Sequence, residues 1–128
     1  MITAQMLIEY IEQLAGHPLN ADEGMQRGQA LRDIHGVLVC WMATTAALAC
    51  AVEQGCELVL THESLYYPYN ALQRGSNPPG WQDWPTNRQR RTYLEGHDLG
   101  VLRVHGSLDE ICIFHDFAEQ LRLGAPLE

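Results

Sequence analysis

Leu58-Val-Leu-Thr-His-Glu63 decides the fold: an apolar, strand-like run that stops abruptly at two side chains able to bind a metal. Working backwards, Thr44 to Gln54 is Ala-rich and reads as a helix closed by Gly55. Before it, Gly36-Val-Leu-Val-Cys-Trp41 reads as a buried strand. Strand, helix and strand with such short joints make a βαβ unit, whose crossover should be right-handed. Working forwards, Thr86 to His97 predicts a helix, Asp98-Leu-Gly100 a turn, and Val101 to His105 a third strand. Asp109 then opens a last helix with an apolar stripe at Ile113, Phe117 and Leu121. In front of everything, Met6, Leu7, Tyr10, Ile11 and Leu14 fall at helical spacing over residues 3–15, between Thr3 as N-cap and Gly16 as stop. Residues 17–28 read as a turn-rich link holding Asp22, Glu23 and Gly24. The class is α/β: a layered β-α-β-α-β-α sheet with helices packed on it.

The 128 residues make one domain, 1–128, long enough to bury a core without disulfides. Hydrophobic residues at 46% fit a globular chain, and 8 basic against 16 acidic residues leave a formal net charge of −8. An acidic domain repels phosphate backbones, which counts against nucleic-acid partners. Every basic side chain is arginine; the chain has no lysine. Schiff-base chemistry, a lysine general base and a phosphate loop built on lysine are therefore excluded. Cys40, Cys50, Cys56 and Cys112 form no Cys-x-x-Cys pair, and the first three lie in or beside apolar stretches. They read as reduced structural thiols of a cytoplasmic protein. Glu9 and Glu12 interrupt the first apolar stretch, so it does not read as a signal peptide, and no apolar run is long enough to span a bilayer.

In a parallel sheet the C-terminal strand ends lie along one edge and collect the residues that bind ligands. A second stretch, Val104-His-Gly-Ser-Leu-Asp109, ends the third strand as Thr61-His-Glu63 ends the second. Topology can therefore bring His62, Glu63, His105 and Asp109 together. Imidazole with carboxylate suits zinc, iron, manganese or nickel rather than calcium. The competing reading is two capping or core histidines beside ordinary surface acids, because His-Glu is a weak pattern on its own. Between the site and the next helix the chain turns aromatic, with Leu65-Tyr-Tyr-Pro-Tyr69 followed by Trp81 and Trp84. A long loop this rich in Tyr and Trp predicts an ordered lid or contact surface. Arg88, Arg90 and Arg91 form either a solvated helix face or an anion site.

Three stretches, in order, resemble a known family. Gly55-Cys-Glu-Leu-Val-Leu-Thr-His-Glu63 resembles the Thr-His-His-Pro signature of the Nif-three-like dinuclear-metal family, also called GTP cyclohydrolase I type 2 homologues. Gly100-Val-Leu-Arg-Val-His-Gly-Ser-Leu-Asp109 is similar to its second motif, His-Thr-Asn-Leu-Asp, and Asp22-Glu-Gly-Met-Gln-Arg-Gly28 to its early Asp-Asn-x-Gly-Leu-x-x-Gly segment. The similarity runs from the first helix to Leu123-Gly124.

The resemblance implies a layered α/β fold, a hexameric ring and a site for two adjacent metal ions. It assigns His62 to the first signature histidine, Asp109 to the bridging aspartate, and His105 to a ligand or its close neighbour. Glu63 stands where the second histidine usually stands, as in a similar branch that carries Thr-His-Glu before an aromatic-rich stretch. Ser64 replaces the signature proline, and Met42 stands where the family commonly has Asp. Typical members are about twice this length and complete the metal cage with a later His-x-x-x-Glu pair. His115 and Glu119 repeat that spacing here but match a stretch without ligands. The expectation is therefore one or two divalent ions per chain (zinc, iron or manganese), held by His62, Glu63, His105 and Asp109.

Two functions follow. In a metal-dependent hydrolase, Tyr67, Tyr69 and Trp81 would stack on a small, nucleotide-like substrate, Arg88 and Arg91 would receive its phosphate, and His97 or Glu110 would serve as general base. In a non-enzymatic metal-binding or assembly protein, the same aromatic side chains would anchor a partner. In both, the expected protein is a cytoplasmic homo-oligomer that binds neither nucleic acid nor membrane.

Overall fold

Thr3 and Gly16 bound the first helix as their chemistry demands. In the chain's structure, a computed structural model that describes residues 1–68 and 77–125, the Thr3 hydroxyl accepts from the Met6 N–H at 3.2 Å. Gly16 takes a left-handed φ of 77° and closes the helix onto the Glu12 carbonyl. A hydroxyl cap satisfies an N–H left unpaired at the helix start, and glycine enters the left-handed region without a Cβ clash. The elements in order are β1 (Ile2–Thr3), α1 (Ala4–Ala15), β2 (Gly24–Arg27), β3 (Asp33–Ile34), β4 (Val37–Cys40), α2 (Thr45–Glu53), β5 (Leu58–Thr61), α3 (Pro85–Glu95), β6 (Gly100–Arg103), α4 (Gly106–Leu108) and α5 (Phe114–Gln120). A 3-10 turn, Trp81–Asp83, precedes α3, and a π-helical stretch, Asp109–Ile113, joins α4 to α5.

The main sheet has the order β2-β6-β5-β4. Strands β4, β5 and β6 run parallel, with Cys40 beside Thr61 and Thr61 beside Arg103 at their C-terminal ends. Strands β5 and β6 are buried at every position, the continuous apolar run expected of parallel strands covered on both faces. Alternation distributes them. Val59 and Val101 face a core with Leu48 and Ala51 of α2 and Leu94 of α3. Leu58, Leu60 and Leu102 face the opposite core, with Ala4 and Ile11 of α1 and, at its border, Leu108 and Ile111. The result is a three-layer α/β/α sandwich, and no described helix is long and apolar enough to cross a membrane.

Four details differ from the sequence reading. Strand β4, expected to be buried, is exposed at Val37 and Val39, because the layer of α1 does not reach over it. The link over 17–28 contains strand β2, antiparallel to β6, and a second small sheet pairs β1 with β3. Strand β2 opens on a glycine and carries a register shift between Met25 and Arg27, so no alternation marks it. Its close follows the same logic: a Cβ on Gly28, at φ 86°, would lie 3.1 Å from the Gly100 Cα. The C-terminal stripe does not face the core, because Phe117 and Leu121 are exposed. Cys50 is exposed rather than buried, while Cys40, Cys56 and Cys112 are half-buried, and all four are free thiols.

Candidate metal centre

The parallel strands end on one edge, and the local chemistry there fixes how each side chain leaves its strand. The Thr61 hydroxyl lies 3.3 Å from the Trp41 carbonyl and 3.2 Å from that of Glu63, and the Glu63 N–H donates to the Trp41 carbonyl at 2.9 Å. These bonds tie the exit of β5 to the exit of β4 and set His62 between them. On the neighbouring strand, the His105 carbonyl accepts from the N–H groups of Leu108 and Asp109 at 3.0 and 3.1 Å. That is one turn of helix, and it places Asp109 four residues on from His105 along the same side.

His62, His105 and Asp109 meet at this edge, each offering one donor atom, and those atoms lie within 4.8 Å of one another. His62 Nε2 is 3.0 Å from Asp109 Oδ1, and the rings of His62 and His105 meet edge to face with centroids 4.8 Å apart. His62 is buried, its ring stacked on Trp41 at 3.9 Å. The donor set suits a first-row divalent ion. Zinc at roughly 2.05 Å from each ligand sets tetrahedral donors about 3.3 Å apart, close to the His62–Asp109 separation. Glu63 lies elsewhere: its Oε1 is 3.2 Å from His62 Nδ1, on the far side of the ring from Asp109. A carboxylate there orients the imidazole.

Two residues from the turn before β2 complete the surroundings. Because β2 is antiparallel to β6, Gly24 sits opposite Arg103, and Asp22 and Glu23 arrive at the edge where β6 ends. Glu23 Oε1 accepts from the backbone N–H groups of His105 (2.6 Å) and Ser107 (2.9 Å), while Oε2 accepts from Asn20 N–H (2.7 Å) and the Ser107 hydroxyl (2.6 Å). Burial alone pushes the Glu23 carboxyl up, but the bonds from Ser107, Asn20 and His105 outweigh it and hold the group below its usual 4.5. Asp22 contacts both His105 and the buried Arg103. The sequence carried one signal for this pair: two acids before a glycine, in a segment read as a turn.

The residues expected to contact substrate do not gather at this site. Trp81 and Arg91 line a cavity of about 460 Å³ with Tyr66, Gln82, Asp83 and Asn87. Arg88 borders a separate hollow with Thr45 and Tyr93. Tyr67 donates its hydroxyl toward the Met42 sulfur at 3.2 Å, and Tyr69 lies outside the described residues. Arg90 is buried, donating to the Leu65 carbonyl at 2.7 Å, and so belongs neither to a solvated face nor to an anion site. The cavity that reaches His62 is apolar, about 280 Å³, and lined by Val39, Trp41, Leu60, Leu108 and Ile113 together with Cys40. Burial pushes the Cys40 thiol up, away from the thiolate form. His115 and Glu119 sit on a surface hollow on α5. His97 Nδ1 is 2.8 Å from the Tyr93 carbonyl, and Glu110 pairs with His17 at 2.8 Å.

No family model matches the chain, and no curated protein matches its sequence. Solved structures do. The chain resembles Staphylococcus aureus protein SA1388 with a TM-score of 0.60 and 17% identity, covering 84% of this chain and 29% of that one. It resembles a Bacillus cereus protein related to NIF3 (TM-score 0.61, 15% identity, 85% of this chain and 29% of that one). It also resembles protein ybgI, of unknown function (0.60, 23%, 84% and 41%). The chain thus spans 29% to 41% of the length of these proteins. Identities this low speak for the fold alone. The architecture that the three sequence motifs suggested is the one the chain adopts: it has the fold of the NIF3-related proteins.

Proposed function

We propose that this chain is a divalent-metal-binding protein, that His62, His105 and Asp109 hold the ion, and that the site serves hydrolysis of a small, nucleotide-like substrate. The supporting observation is the convergence of two imidazoles and a carboxylate from two strand ends and one helix start. A bound ion of this kind supplies an activated water and polarises the bond to be cleaved. The chain's own residues do the rest. Glu63 holds the His62 ring from its far nitrogen, Trp41 covers one face of that ring, and Glu23 fixes the backbone that carries His105. Zinc, iron and manganese all suit this donor set, with one or two ions per chain in the proposal. Trp81 and Arg91, on their shared cavity, are the proposed contacts for the flat and anionic parts of the substrate. Tyr67, Tyr69 and Arg88 stay in the proposal as further contacts, and Glu63 as an additional ligand if the ring turns.

A second reading has its own observation. Val39, Trp41, Phe114, Phe117 and Leu121 are large apolar side chains left exposed. An assembly protein, built as a homo-oligomer such as a ring, would bury them between copies. Cytoplasmic residence, where four free thiols stay reduced, belongs to both readings.

The test is elemental mass spectrometry on protein purified without added metal, beside Asp109→Ala. The hydrolase reading expects about one or two ions per chain, lost in the variant, with oligomeric state unchanged. Wild-type protein that takes up no zinc, iron or manganese after reconstitution would count against it and leave assembly as the function.

A further inference from the structure

We propose that Asp22 is a positioning residue for the metal centre: it selects the tautomer of His105 and, through Arg103, ties that histidine to the one on the neighbouring strand. The inference rests on the metal reading and deepens it. Asp22 stands just before β2, and the antiparallel pairing of β2 with β6 carries it to the site edge. Its Oδ2 lies 3.1 Å from His105 Nδ1 and 3.1 Å from Arg103 Nη1.

Arginine can only donate, so the shared oxygen is an acceptor. His105 Nδ1 is therefore the protonated nitrogen. An imidazole that donates from Nδ1 carries its lone pair on Nε2, the form in which a metal takes it. A free histidine side chain in water favours the opposite tautomer, so Asp22 sets the ring against its own preference.

Arg103 extends the effect. Its side chain is buried, and it donates from Nε to the His62 carbonyl at 3.2 Å and from Nη1 to the Asp22 carbonyl at 3.2 Å. One guanidinium thus touches the backbone of one histidine and the carboxylate that holds the other. Glu23, the next residue, clamps the His105 and Ser107 N–H groups, so both the ring and the backbone of His105 are held from the same turn. Such carboxylate partners typically change metal affinity about 10–100-fold when removed.

The experiment reads the tautomer and the affinity separately. Long-range proton–nitrogen correlation spectra of histidine-labelled, metal-free protein would be recorded for wild type, Asp22→Asn and Asp22→Ala, with His105→Gln to assign the resonance. Each protein with His105 intact would also be titrated with cobalt(II) and followed by its visible absorption. The expected result is an Nδ1–H tautomer for His105 in the wild type and a shift to Nε2–H in Asp22→Ala. Cobalt affinity should fall by about 10–100-fold in Asp22→Ala and less in Asp22→Asn, which keeps an acceptor oxygen. An Nε2–H tautomer in the wild type overturns the proposal, and so does cobalt binding by Asp22→Ala as tight as the wild type's. Asp22→Ala strips the buried Arg103 of a partner; if that variant does not fold, the wild-type tautomer and Asp22→Asn carry the decision. A wild type that binds no cobalt overturns the metal reading beneath; equal binding by wild type and variant overturns only the role of Asp22.

Discussion

The two faces of the main sheet are closed to different degrees. Under α2 and α3 the core is sealed, with Leu48, Val59, Leu94 and Val101 buried, and even the polar residues there are fully enclosed. Asn87 bonds the backbone of Tyr67 and the Trp81 carbonyl, and Arg90 bonds the Leu65 carbonyl. Under α1 the other face is sealed over β5 and β6 but runs out before β4. There Val39 is 71% exposed and Trp41 57%. The candidate metal ligands gather where the covering stops. His62 sits at that boundary, stacked on Trp41, and both line the apolar groove with Val39, Leu60 and Ile113. Closed packing holds the strands in place, and the incomplete face leaves their ends reachable.

That contrast can be broken by substitution. Leu48→Ala on the sealed face leaves a cavity that rigid neighbours cannot fill, and should cost about 2–5 kcal/mol in urea unfolding. A cost under about 1 kcal/mol would mean this face is looser than its burial implies.

At the rim joining strands to site, Glu23→Gln tests whether the clamp on His105 and Ser107 contributes to folding. A carboxyl held below its unfolded value of 4.5 contributes stability that is complete above that pH. The contribution is lost as pH falls through the lowered folded value. The gap in stability between wild type and Glu23→Gln should therefore be widest near pH 7 and narrow below pH 4.5. A gap that stays constant from pH 7 to pH 3 would show that the carboxylate's charge contributes nothing.

On the open face, Val39→Ala should change stability by no more than about 0.5 kcal/mol in dilute monomer. A penalty that grows with protein concentration would sharpen the contrast in another way, because a second copy would then be covering β4.

Helices and parallel strands were legible because their signals are local. Thr3, Thr44, Gly16 and Gly55 mark helix ends, and the apolar runs over Leu58–Thr61 and Gly100–Arg103 mark strands covered on both sides. Strand β2 was not legible, since four residues with a register shift become a strand only through pairing with β6. The site divides along the same line. His62, His105 and Asp109 could be placed from strand ends alone, whereas Asp22 and Glu23 reach them only through that pairing. Glu63 was expected beside the other donors, but adjacency in sequence does not say which ring nitrogen a neighbour will meet. Arg88 and Arg91, close on one helix, border different cavities, a separation decided by what α3 packs against.

The ligands themselves are read by X-ray absorption spectroscopy of the zinc-loaded protein. Ligation by His62, His105 and Asp109 predicts nitrogen and oxygen donors at roughly 2.0–2.1 Å with the outer scattering of two imidazoles, and no specifically bound zinc in Asp109→Ala. Sulfur at roughly 2.3 Å would place the ion on the cysteines instead and contradict the assignment of His62, His105 and Asp109.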